Sequence, residues 1–264
     1  MKKIVTYVFI YVLFAASACF AGEEYRIVSL APNATEILFS LDLGDSIVGV
    51  DEYSNFPEEA REIQKVGSFD KPNMEMITLL RPDIILVNTD LEKDKADYLG
   101  RLGARVIKIS PKSVEGLCRD IESLGSVLGR ETEAGFLAQD MRQRIRRISE
   151  DNGGKTRPKV FLQLFDDPLV TGSSFMGDII DLAGGDNIAR DVKDDAGIFS
   201  MEMLIDRNPD IILVMGFSDK AGFPGSINAV RNNRIYKDLN PDVFLRPGPR
   251  TIEAIERLDR IFHE

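Results

Sequence analysis

One stretch of this chain occurs twice, and that duplication limits the fold more than any other feature. Asn73-Met74-Glu75-Met76-Ile77-Thr78-Leu79-Leu80-Arg81-Pro82-Asp83-Ile84-Ile85-Leu86-Val87 returns 127 positions later as Ser200-Met201-Glu202-Met203-Leu204-Ile205-Asp206-Arg207-Asn208-Pro209-Asp210-Ile211-Ile212-Leu213-Val214. Each copy opens on a good N-cap residue, Asn73 or Ser200, and continues as a short apolar-rich helix. Each helix stops at a residue driven out of helical geometry by the proline behind it, Arg81 or Asn208. A solid β-branched run follows the acid, as a strand buried on both faces requires. The chain therefore contains two similar α/β halves.

The rest of the sequence alternates in the same way. Strands are expected at 26–31, 46–50, 105–109, 159–164 and 234–236, and helices at 37–43, 91–102, 113–128, 176–183 and 249–262. That order predicts mostly parallel sheets covered by helices on both faces. Between the halves the pattern changes to one helix of about twenty residues, roughly 30 Å long, over 131–151. Phe136, Leu137, Met141, Ile145 and Ile148 supply its apolar spacing, and Asn152-Gly153-Gly154 ends it. The expected fold class is α/β: two Rossmann-like lobes, each with a central mostly parallel sheet, joined by one long rigid helix, the alternative being one more surface helix of a single domain. The expected boundaries are 22–130 for the first lobe, 131–152 for the helix and 153–264 for the second lobe.

The N-terminus reads as an export signal. Lys2 and Lys3 precede an apolar run over 4–14 and small residues over 15–18, too short a run to anchor in a bilayer. Cleavage is expected after Ala21, or after Ala18 if Cys19 is lipidated. Only Cys118 then remains, on the apolar side of a helix, so it reads as a small core residue and no disulfide framework is expected. The net charge of −10 becomes two units more negative once both lysines leave, which disfavours nucleic acid as a partner.

Catalytic machinery is hard to find. The single histidine, His263, is next to last, where fraying and exposure are the expectation. No Cys/His cluster has zinc spacing, and neither a phosphate loop nor a dinucleotide fingerprint occurs. Asp166-Asp167 and Asp51-Glu52 leave a secreted two-carboxylate hydrolase as the outside alternative. A binding role fits better, because ligands of open parallel sheets gather beyond the carboxyl ends of the strands. Those ends carry Asn33, Tyr53 and Asn88 in the first half, with Phe69 in the loop before the repeat. In the second half they carry Phe165, Asp166 and Phe217, with Asp242, Phe244 and Arg246 further on. An aromatic set with few polar groups suits a large planar or amphipathic ligand. Glu75 and Glu202 lie two positions past their caps, where a carboxylate complements the helix dipole. Neither occupies the capping-box position, so both are free to meet a two-fold partner.

Arg26-Ile27-Val28-Ser29-Leu30-Ala31-Pro32-Asn33-Ala34-Thr35-Glu36 closely resembles the opening of the helical-backbone periplasmic binding proteins, the cobalamin, ferric-siderophore and haem receptors of ABC importers. Further matches are Gly49-Val50 through Tyr53 to Pro57, Lys65-Val66-Gly67, both repeat copies, Gly184-Gly185-Asp186-Asn187 and Arg246-Pro247-Gly248-Pro249-Arg250. The resemblance implies a ligand held in a cleft between two lobes with little hinge motion, in a non-enzymatic, monomeric periplasmic receptor with no cofactor of its own that delivers a metal chelate to a dimeric permease. It implies that Glu75 and Glu202 dock onto permease arginines. The cobalamin branch is the most similar: Tyr53, Phe165 and Asp242 match positions that touch the corrinoid there. Phe69 stands where that branch has tryptophan, and Asn88 where it has another aromatic. A ferric siderophore or haem is the alternative cargo, with Arg246 facing an anionic chelate or Tyr53 as the axial ligand of haem.

Overall fold

A computed structural model describes residues 25–88, 93–166, 169–172, 174–192, 196–215 and 222–264. The expected signal segment with Cys19, the Asp166 side chain, Asp167 and Phe217 lie outside the described residues. The first half contains β1 (Ile27–Ser29), α1 (Pro32–Ser40), β2 (Ile47–Val50), α2 (Met74–Leu80), β3 (Ile84–Val87), α3 (Lys93–Arg101), β4 (Arg105–Lys108) and α4 (Val114–Leu128). Next comes α5 (Glu131–Asp151). The second half contains β5 (Lys159–Gln163), β6 (Phe165–Asp166), β7 (Leu169–Gly172), α6 (Ser174–Leu182), β8 (Asp186–Asn187), β9 (Ala196–Ile198), α7 (Met201–Arg207), β10 (Ile211–Met215), α8 (Asn228–Arg231), β11 (Ile235–Leu239), α9 (Pro241–Phe244) and α10 (Thr251–His263).

Two parallel four-stranded sheets result, ordered β2-β1-β3-β4 and β8-β5-β10-β11. The order is the same in both, and the duplicated stretch supplies corresponding parts: α2 and β3 in one, α7 and β10 in the other. The correspondence extends to single hydrogen bonds. Asn73 and Ser200 each accept the N–H three residues on, at 3.0 Å. Arg81 and Asn208 each end their helix in the left-handed region, at φ 47° and 45°. Asp83 accepts the Arg26 N–H at 2.8 Å, and Asp210 accepts the Lys159 N–H at 3.0 Å. The acid between helix and strand thus ties the repeat to the first strand of its sheet.

A single hydrophobic core runs through both sheets. It joins Ile27, Ile84 and Leu86 to Leu117, Ile121 and Met141, and these to Leu162, Ile179, Leu213 and Leu258. The outer face of each sheet has its own smaller cluster, one around Ile77, Ile85 and Leu99, the other around Phe161, Phe199 and Ile212. Helices α4 and α5 meet at a tight corner, where a side chain on Gly125 would lie 2.3 Å from Ala134 Cβ. Arg142 of α5 binds Glu115 and Glu122 of α4 at 2.5–3.0 Å, which fixes the pair side by side. Cys118 lies buried between them, and burial pushes its thiol up to about 11.

Several expectations need correction. The first helix starts at Pro32, not at 37, because proline suits the first turn, where an N–H has no partner. On α5 the buried stripe is Ala134, Ala138, Met141 and Ile148, while Phe136 is 69% exposed. β6 and β7 pair antiparallel, and β9 extends them to a small third sheet. His263 is not frayed: it ends α10 packed over Gly184, with its side chain 13% exposed.

Candidate functional site

A cleft of about 350 Å³ opens beyond the carboxyl ends of β4 and β5. Ser110, Pro111 and Lys112 line it from the first half; Phe165, Phe175, Leu245 and Pro247 are among those that line it from the second. Its walls are mainly apolar, which suits a ligand with a broad hydrophobic face. The topology rule that places ligands at strand ends would have reached Ser110 to Lys112, since they directly follow β4.

The loop after β2 stands beside this cleft and is bound to its far wall. Arg246 donates to Asn55 Oδ1 at 2.7 Å and to Tyr53 O at 3.2 Å, and pairs with Asp242 at 2.7 Å. Asn55 donates in turn to Asp242 at 3.0 Å. Below them Glu36, only 2% exposed, receives both Arg250 nitrogens at 2.9 and 2.5 Å. Arg250 also lies over the Phe56 ring, 4.0 Å from its centre. Asn33 Nδ2 donates to Pro247 O at 3.2 Å, closing the same seam. Apart from Asp242 with Arg246, these contacts join residues about two hundred positions apart, so no local pattern announces them.

The structure sorts the expected site residues into groups. Tyr53, Phe69 and Phe165 are aromatic and 43–54% exposed, as ligand contacts must be. The loop carrying Phe69 folds back between Gly67 and Pro72, and Gly67 O accepts the Glu52 N–H at 3.1 Å, so it adjoins the Tyr53 loop. Asn88 directly follows β3 and is half-buried, its Oδ1 shielded and without a partner among the described residues. Asp242 and Arg246 neutralise one another, so Arg246 holds the seam instead of offering a free charge to an anionic chelate. Phe244 is corrected: 3% exposed, it belongs to the core, because α9 turns it inward. Asn33 is buried as well and contributes through Pro247. Asp51 is 0% exposed, so Asp51 and Glu52 do not form a substrate-facing carboxylate pair. Burial lifts the Asp51 carboxyl above its ordinary range, against the opposing hydrogen bonds from Ser54 and the Tyr53 N–H.

Glu75 and Glu202 are both exposed in the first turns of α2 and α7. Each helix leads through three residues into its strand and so runs antiparallel to it, which sets its N-terminus at the carboxyl edge. Both acids therefore share the cleft's edge of the molecule. Met201 and Ile205 are exposed beside Glu202.

A family model described as periplasmic binding protein matches residues 27–240. The chain belongs to this family. A protein of Vibrio parahaemolyticus named vitamin B12-binding protein is 29% identical, over 97% of this chain and 94% of its own. A Bacillus subtilis protein named as an ABC transporter substrate-binding lipoprotein is 33% identical, over 89% of this chain and 79% of its own. Among solved structures, the periplasmic vitamin B12 binding protein BtuF of Vibrio cholerae aligns at a TM-score of 0.78 and 28% identity, covering 90% of this chain and 96% of that one. The periplasmic haem-binding protein HutB of Vibrio cholerae aligns at a TM-score of 0.82 and 22% identity, covering 92% and 100%; it bears on the fold alone. This periplasmic binding protein thus has the two-sheet architecture of its relatives and works in ABC transport. Among its described residues no helix is long and apolar enough to cross a membrane.

Proposed function

We propose that this protein is the exported, non-enzymatic receptor of an ABC importer that carries a corrinoid in its cleft. The observation that carries the reading is a mainly apolar cleft lined by the exposed Phe165 ring, with exposed Tyr53 and Phe69 on the adjoining loops and with Asp242–Arg246 and Glu36–Arg250 paired beside it. Rings of this kind stack on a broad macrocycle face. Relatives named for vitamin B12, similar over nearly the whole chain, support the same cargo.

Haem is the second reading, favoured by the exposed Tyr53 phenol, which is chemically able to bind ferric iron. Delivery runs through Glu75 and Glu202 as contacts to a two-fold permease, with the receptor itself a monomer in the periplasm or held to a membrane through Cys19. Titration of the mature protein with cyanocobalamin, dicyanocobinamide, haemin and a ferric hydroxamate, followed by absorbance and calorimetry, tests the cargo. Submicromolar binding of a corrinoid is the expected result. Binding of haemin alone, with a phenolate-iron charge-transfer band, would replace the first reading by the second.

A further inference from the structure

We infer that Asp51, wholly shielded from solvent, is a positioning residue for ligand recognition: its carboxylate fixes the turn that presents Tyr53 to the cleft. The inference rests on Tyr53 meeting the ligand, as proposed above. Asp51 follows β2 directly, and its N–H donates to Ser29 O at 2.9 Å, so its backbone continues the sheet. Its Oδ2 accepts the Tyr53 N–H at 3.2 Å, and its Oδ1 accepts the Ser54 hydroxyl. Ser54 Oγ lies 2.8 Å from Thr35 Oγ1, which lies 2.9 Å from Ser29 Oγ; with the Ser54 proton on Asp51, the one Thr35 proton serves one of these two contacts at a time. Every member of this relay is buried. Lys65 closes the turn from behind by donating to Ser54 O at 2.8 Å.

The Tyr53 backbone is thus held at its N–H by Asp51 and at its carbonyl by Arg246, one from each half of the chain. Its side chain, 54% exposed, has little packing to hold it. Without the two backbone ties, binding would have to freeze the turn as well as the ring. A pre-ordered aromatic anchor avoids that cost. Burying a carboxylate is unfavourable unless its acceptors are used, and here both oxygens are spent on the two residues that form this turn.

Geometry, not charge, carries the effect, so asparagine should suffice. Its amide oxygen accepts the Tyr53 N–H, and Ser54 then accepts from the amide and donates to Thr35. Titration with cyanocobalamin, dicyanocobinamide and haemin should show Asp51→Ala weakening binding about tenfold, near the cost of ordering one backbone residue. Asp51→Asn should stay within roughly threefold of the native protein, and Asp51→Ala should add little on top of Tyr53→Ala. Full additivity, or asparagine as damaging as alanine, overturns the inference. A Tyr53→Ala variant that binds as tightly as the native protein overturns the ligand contact itself, which separates the two failures.

A measurement without ligand is also open, because the chain has no tryptophan. Tyr53→Trp gives a single emitter whose anisotropy decay should gain fast local motion with Asp51→Ala and not with Asp51→Asn. An unchanged decay overturns the positioning role. If Asp51→Ala does not fold, Ser54→Ala removes only one of the two hydrogen bonds that Asp51 accepts in this turn, and a loss of roughly threefold is then expected.

Discussion

Replacing Glu36 by leucine tests how the two halves are held together at the cleft. The side chain is 2% exposed and receives two bonds from Arg250, with Arg246 at 3.6 Å. Leucine is of similar size, so packing changes little, but two guanidinium groups only 13% and 15% exposed lose a counter-charge. Deleting one partner of a buried pair costs about 3–5 kcal/mol. Arg246 keeps Asp242 at 2.7 Å, and Arg250 keeps the Phe56 ring, which argues for the lower end. For a chain of this size, about 3 kcal/mol lowers the unfolding midpoint by roughly 6–12 °C. Scanning calorimetry of the native protein, Glu36→Leu and Glu36→Leu/Arg250→Met would measure it. The double variant should recover at least half of the loss, because an apolar seam replaces the stranded charge. A single variant within about 2 °C of the native midpoint, or a double variant less stable than the single, would refute the buried-pair reasoning.

Reversing charge at both Glu75 and Glu202 to arginine should abolish uptake in a reconstituted importer while leaving ligand affinity unchanged. A tenfold fall in affinity would instead place these acids at the ligand; each costs the helix only about 0.3–1 kcal/mol. Gly125→Ala should destabilise by about 1–3 kcal/mol, because its new carbon meets Ala134 Cβ at 2.3 Å and Arg130 O at 2.8 Å. Gly100→Ala, on α3 with nothing within 4 Å, should be neutral or stabilising in the same denaturant titration. Burial, then the nearby Lys155 charge, holds the His263 pKa below its ordinary value. A lowered histidine pKa gives stability that is complete above about pH 6.5 and is lost as pH falls through the folded value. Melting midpoints should therefore drop more between pH 7.5 and pH 5 in the native protein than in His263→Asn.

What the sequence disclosed were the features that repeat or alternate. The Asn73 and Ser200 caps, the helix stops before Pro82 and Pro209 and the buried strands behind them are all set by neighbours a few positions away. The start of α5 follows likewise from a local change of pattern. The small third sheet did not declare itself, because β6 and β9 are two and three residues long and owe their extended form to β7. Phe244 read as a cleft residue for a similar reason: a proline-started turn of four residues has no periodicity to reveal which way it faces. The seam of Glu36 with Arg250 and Asn55 with Asp242 spans 214 and 187 positions, so its chemistry exists only once the chain is folded.

The continuous core through both sheets has a consequence for how the molecule comes apart. Leu117, Ile121 and Met141 belong to one buried cluster with apolar side chains from both halves, so neither sheet can lose its partner without opening the same interior to water. Heat should therefore melt the two halves in one cooperative transition, with calorimetric and van't Hoff enthalpies in agreement. Cutting the chain within α5 should not release a folded half. Two alike in sequence and strand order, the halves share one interior.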